Sequence, residues 1–114
     1  MNILIIDTDR EDAERFAESI PREGNEIKLA HSEREAQETV RGWQPQCVFV
    51  EVGRSELDGY AVAKQLREGA NISEAIFVSI SEFPQDHARE QAAGIDRHLR
   101  KPVKPQDLQA IIQF

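Results

Sequence analysis

Short β-branched apolar runs alternate five times with amphipathic segments along this chain, and nothing else in it restricts the fold as strongly. The first run, Asn2–Ile6, is almost continuously apolar, as a strand covered on both faces must be. After it, Asp9 can cap a helix whose Ala13, Phe16, Ala17 and Ile20 recur at helical spacing, and Pro21 and Gly24 end it. Glu26–Ala30 reads as a second strand. The capping box Ser32-Glu33-Arg34-Glu35 opens a helix expected to run through Ala36, Val40 and Trp43. Cys47–Val52 reads as the third strand, and Asp58-Gly59 opens a helix with Val62, Ala63 and Leu66 inward. Ala75–Ile80 reads as the fourth strand and Gln85–Ala93 as an Ala-lined helix ending at Gly94. Arg97–Arg100 is a short fifth strand. Pro105 starts a last helix packed by Leu108, Ile111 and Ile112.

Five strand–helix pairs in 114 residues predict one α/β domain over residues 1–114. Its expected architecture is a (βα)5 doubly wound, parallel, five-stranded sheet with right-handed crossovers. Ligands of such sheets sit at the carboxyl ends of the strands, near the topological switch point. Those ends carry Asp7, Thr8 and Asp9 after the first strand, Glu51 closing the third, Ser81 after the fourth and Lys101 after the fifth. Asp7 and Glu51 offer the hard oxygens that suit a water-rich Mg²⁺ site. A lysine and a hydroxyl suit a phosphoryl oxygen beside that metal.

With these residues, the motifs ILIIDTD, VFVEVGRSELDGY, VSISEF and GIDRHLRKPV make the chain recognisable. Over its whole length it resembles the response-regulator receiver domain, the phosphoacceptor module of two-component signalling. Gly59 lies eight positions after Glu51, Ser81 lies thirty after it, and Lys101-Pro102 closes the set. The HLRKPVKPQDL segment and Gly53 look most like receivers attached to hybrid sensor kinases. The resemblance implies a flavodoxin-like fold with strand order 2-1-3-4-5. It also implies Asp7 as an Mg²⁺ ligand, Gly53 as donor of a backbone carbonyl to the metal, Ser81 as the switch hydroxyl and Lys101 as the phosphoryl-contacting cation. His98 stands where the family keeps an aromatic residue that changes rotamer on activation. The fourth helix, fifth strand and fifth helix are the family's partner face, which implies a sensor histidine kinase or a downstream effector as partner.

Four positions depart from the family pattern. Glu51 occupies the phosphoacceptor position, where the family places Asp. The extra methylene moves the carboxylate out by about 1.5 Å, and displacements of that order can cost about 100-fold in a positioned reaction. Thr8 replaces the second acid of the usual pair. Asp9 would compensate only if the loop bent it inward, and capping is its simpler task. Ser55 stands in place of a loop-stiffening proline, and Glu82 follows Ser81 where a small residue normally leaves the pocket open. Together they point to phosphorylation that is lost or much weakened.

Three roles stay open for Glu51: a remnant balanced by Lys101, a mimic of the phosphorylated form, or part of a residual metal or phosphate site. An unpaired buried carboxylate is costly, so a Lys101 partner is expected in each case. His98 is expected to be a packed, amphipathic surface residue, and His31 and His87 have no metal-ligand spacing. Cys47 reads as a small core residue, and Trp43 as a staple holding the second helix to the body.

The net charge of −7 argues against nucleic acid as a direct partner. It is unevenly placed: residues 1–38 carry 11 acidic and 5 basic side chains, whereas Arg97, Arg100, Lys101 and Lys104 face only Asp107 near the end. No apolar run suggests a membrane span, and MNILIID lacks a basic leader. A single cysteine is consistent with a cytoplasmic protein. The expected function is a signalling module acting by protein–protein contact and not an enzyme. The alternative is an Mg²⁺-dependent phosphoreceiver using Glu51. A small flavodoxin-like enzyme or nucleotide binder is disfavoured, because Thr8-Asp9-Arg10 is no Gly-rich phosphate loop.

Overall fold

Each apolar run becomes a strand, and alternation along the strands decides which helices cover which face. The computed structural model describes residues 1–69, 72 and 74–112. Its strands are β1 (Asn2–Ile6), β2 (Glu26–Ala30), β3 (Cys47–Glu51), β4 (Ile76–Ser81) and β5 (Arg97–Arg100). The helices are α1 (Arg10–Glu18), α2 (Glu33–Thr39), α3 (Gly59–Gly69), α4 (His87–Ala93) and α5 (Pro105–Ile111). All strand pairings are parallel, in the order β2-β1-β3-β4-β5. This is the expected flavodoxin-like sheet.

Side chains of one parity, among them Ile3, Ile5, Cys47, Phe49, Val78 and Ile80, pack with Ala13 and Ile20 of the α1 region and Leu108 and Ile112 of the α5 region. Those of the other parity, among them Leu4, Ile6, Val48, Val50 and Phe77, pack with Ala36 and Val40 and with Val62, Ala63 and Leu66 of α3. β3 lies centrally and is buried along its whole length. Asp7 and Glu51 continue the parity of Ile5 and Phe49, so both carboxylates leave the sheet on the α1/α5 side.

Several boundaries differ from those expected. β3 ends at Glu51 rather than Val52, and β4 runs Ile76–Ser81, so Ser81 closes the strand rather than following it. Asp86 takes extended backbone and accepts from the Arg89 N–H at 3.1 Å, so α4 starts at His87 instead of Gln85. Asp9 caps α1 through the Asp12 N–H at 3.0 Å, as expected. α2 stops at Thr39, which leaves Trp43 outside it. Gly42 weakens the helix pattern there, and Trp43 turns back onto the α2/α3-side core. Its indole N–H bonds Glu26, and the Lys28 ammonium lies 4.9 Å from the ring centroid. Trp43 therefore ties a loop to β2, not a helix to the body.

Cys47 is 1% exposed in the α1/α5-side core. Burial, aided by the charge of Asp96, pushes its thiol up to about 12. Alkylation of the folded protein at pH 8 should then be about 10³-fold slower than in urea, because the thiolate is the reacting species. Stopped-time labelling read by intact mass checks this; equal rates in both states would refute the burial.

Candidate functional site

Glu51 is the last residue of β3 and is 5% exposed. One carboxylate oxygen lies 3.2 Å from Lys101 Nζ, which also reaches Asp12 on α1 at 3.7 Å. Burial holds the Glu51 carboxyl above the usual carboxylate range, against the opposing pull of the Lys101 ammonium. Space for the longer acid comes from Gly53. A Cβ there would sit 3.1 Å from the other Glu51 carboxylate oxygen and 3.3 Å from the Phe83 ring. The expected Glu51–Lys101 pair is therefore present, and the missing side chain at position 53 accommodates it.

Asp7 is buried at the end of β1, and one of its carboxylate oxygens accepts the Asp9 N–H at 3.0 Å and Arg54 Nε at 3.1 Å. Arg54 lies in the loop from β3 to α3. The same guanidinium bonds Asp12 through its second nitrogen and stands 3.9 Å from Asp9. Burial works to raise Asp12, but the Arg54 hydrogen bond and the charges of Lys101, Arg54 and Arg15 bring it below the usual range. Arg54 is pushed further into its charged form, foremost by its hydrogen bond to Asp7. Asp9 stays at its capping task, half out in solvent.

The other expected site residues are more dispersed. Ser81 shares the parity of Phe77 and Ser79, and its hydroxyl both donates to the Phe83 carbonyl at 3.1 Å and accepts the Phe83 N–H at 3.2 Å. It is joined to the Lys101 segment through its backbone, whose carbonyl accepts the Lys101 N–H at 2.9 Å. The Lys101–Pro102 peptide is cis. Glu82 is exposed on the rim, Ser55 is exposed in the loop beside Glu56, and Thr8 is half-buried beyond β1. Below the rim, between α1 and the β5–α5 connection, lies a cavity of about 720 Å³. Phe16, Phe49 and Val103 line it, with Asp12, Glu51, Glu82 and Lys101 also on its wall.

His98 departs from expectation. It is packed, but its side chain is only 7% exposed and so is not a surface group. Nδ1 lies 2.7 Å from Ser79 Oγ and 3.2 Å from a carboxylate oxygen of buried Glu90. Glu90 also accepts from Ser79 Oγ at 3.0 Å and from Gln85 at 2.7 Å. The register of β4 with β5 sets Ser79 beside His98, and α4 lays Glu90 over them.

No motif or periodicity in the sequence marks Asp12, Arg54 or Glu90. Asp12 and Arg54 are separated by 42 residues and meet only because the β3–α3 loop folds over the β1 end. The available signal was an arginine three positions after Glu51, facing an acid-rich strand end. For Glu90 it was a carboxylate one turn before the buried Ala93 of α4.

Asp7, Glu51 and Gly53 do lie at one rim, as an Mg²⁺ site needs. The arrangement nevertheless does not fit a divalent ion, because Arg54 already bonds Asp7 and Asp12 while Lys101 takes Glu51. Among the described residues no group of three or more His, Cys, Asp or Glu is arranged to hold a metal. No helix among them is long and apolar enough to cross a membrane.

Comparison with known proteins agrees with this fold. The response regulator MprA of Mycobacterium avium (strain 104) is 28% identical over 110 residues, which cover 96% of this chain and 48% of that protein. The chain thus spans about half the length of this relative. A two-component response regulator from Clostridium difficile superposes with a TM-score of 0.84 at 25% identity, covering 99% of this chain and 93% of that one. The chemotaxis protein CheY4 of Vibrio cholerae shares the fold with a TM-score of 0.87 at 18% identity, over 98% and 95% of the two chains. A family model for the response regulator receiver domain matches residues 3–113, and the chain belongs to that family.

Proposed function

We propose that this receiver is a signalling module that works by protein–protein contact, with phosphotransfer to position 51 lost or strongly weakened. The Glu51–Lys101 ion pair at 3.2 Å carries this reading. It engages, without phosphate, the lysine that the family uses to contact a phosphoryl oxygen. The carboxylate reaches outward by one methylene, and its negative charge lies where a phosphoryl group would bring more. Thr8, Ser55 and Glu82 support the same reading, since each departs from the pattern that favours phosphotransfer.

The partner surface we assign is the α4-β5-α5 face, engaged by a sensor histidine kinase or a downstream effector. Arg97, Arg100 and Lys104 are exposed there and favour an acidic partner. The likeness of HLRKPVKPQDL and Gly53 to hybrid-kinase receivers supports a parent chain of that kind.

Beryllofluoride with Mg²⁺, followed by amide chemical shifts, tests the reading. The wild-type domain should show no saturable shifts at Ser81 and Lys101 up to millimolar reagent. Saturable shifts at those residues would instead establish an Mg²⁺-dependent phosphoreceiver that uses Glu51. Glu51→Asp restores the family's carboxylate position and should gain response if reach is the main defect.

A further inference from the structure

We propose that Arg54 is the resident cation of the strand-end site, taking the Asp7 oxygen that a divalent ion would need and tying it to Asp12. This goes beyond the signalling role proposed above and does not depend on whether Glu51 mimics a phosphorylated state. The site gathers four carboxylates, from Asp7, Asp9, Asp12 and Glu51, and Arg54 and Lys101 answer them, with Arg15 on one oxygen of Asp12 at 3.0 Å. Lys101 serves Glu51 and stands 3.7 Å from Asp12. Arg54 is the cation that reaches Asp7, Asp9 and Asp12 together.

The guanidinium suits this place because its donors form a fixed fork. Nε bonds Asp7 at 3.1 Å while a terminal nitrogen bonds Asp12, so one planar group bridges β1 and α1. Only 25% of the Arg54 side chain remains exposed, so a long chain that solvent would leave free is laid down across the site. Mg²⁺ binds such sites through one or two carboxylates and keeps several waters, and here those carboxylates are already engaged. A tethered cation also competes at an effective concentration of about millimolar or more, comparable to the free ion it excludes. Thr8 weakens the metal's case further by replacing a carboxylate. The disagreement with the family's metal site thus has a structural cause in Arg54, reinforced by Thr8 and by the Glu51–Lys101 pair.

Mn²⁺ and Mg²⁺ titrations of the wild-type domain and of Arg54→Met, read by amide broadening and shifts, test the proposal. Methionine keeps much of the side-chain length without the charge. The variant should bind either ion at least about 10-fold more tightly than wild type, with effects centred on the Asp7–Asp12 segment. A variant that binds no more tightly than wild type would overturn the proposal. An independent readout needs no variant. In the wild type the Arg54 Nε–H proton should be protected from solvent exchange and unmoved by Mg²⁺ through the millimolar range. Exchange at the rate of a free arginine, or displacement of that resonance by Mg²⁺, would equally overturn it.

Discussion

Lys101→Met is expected to lower the unfolding free energy at pH 7 by about 2–3 kcal/mol, and Glu51→Gln in the same chain should recover most of that loss. Removing the ammonium leaves a carboxylate that is 5% exposed without its nearest cation. Fully buried pairs lose more, about 3–5 kcal/mol; here Lys101 is itself 24% exposed, and Arg54 still contributes at a distance. The pH dependence follows from Glu51. Burial raises its folded-state pKa above the ordinary 4.5, so folding favours the protonated acid. Stability from this group is present below the unfolded value and falls as pH rises through the folded value. Lys101→Met removes the main force restraining that rise, so its penalty should be large at pH 7 and small at pH 4. Urea unfolding of the single and double variants at both pH values provides the check. An equal penalty at both, or no recovery in the double variant, would refute the coupling.

The parts of this molecule that could be read from the sequence are those set by short-range periodicity. Alternation of Ile3, Leu4, Ile5 and Ile6, and the helical spacing of Val62, Ala63 and Leu66, each specify an element and its inner face within a few residues. Parallel strands then bring Asp7, Glu51 and Lys101 to one edge, because their carboxyl ends must coincide. The pairing of Lys101 with Glu51 followed from the cost of burying an acid alone. Arg54 and Asp12 were not legible in this way. Their contact depends on the path of the β3–α3 loop, where no periodic pattern acts, and on a guanidinium reaching back to α1. The burial of the His98 side chain is not legible for a related reason. An imidazole on a short edge strand looks solvent-facing until α4 supplies Glu90 and the β4 register supplies Ser79. Trp43 shows the same limit, since local pattern extended α2 past the turn that the tertiary structure makes there.

Gly59→Ala should destabilise the domain by about 2 kcal/mol through overpacking at the join of α3 and β3, whereas Gly69→Ala should change stability by less than about 0.5 kcal/mol. Both glycines belong to α3, so the contrast isolates what surrounds them. A Cβ at Gly59 would lie 2.5 Å from the Glu51 backbone carbonyl oxygen, 3.0 Å from Val52 Cγ1 and 3.1 Å from Val50 Cγ2. The nearest of these is backbone, and it cannot swing aside as a side-chain tip would. Relief requires α3 to move off β3, or the end of β3 to shift. Either movement displaces Glu51 itself, so the amide resonances of Glu51 and Lys101 should shift together in Gly59→Ala. At Gly69 a Cβ would meet nothing within 4 Å. Equal stabilities of the two variants, or a Gly59→Ala spectrum unchanged at Glu51 and Lys101, would show that the β3–α3 contact does not fix the position of the acid. The expected difference makes Gly59 a structural determinant of the site, because its missing side chain lets the first turn of α3 lie against the strand that ends in Glu51.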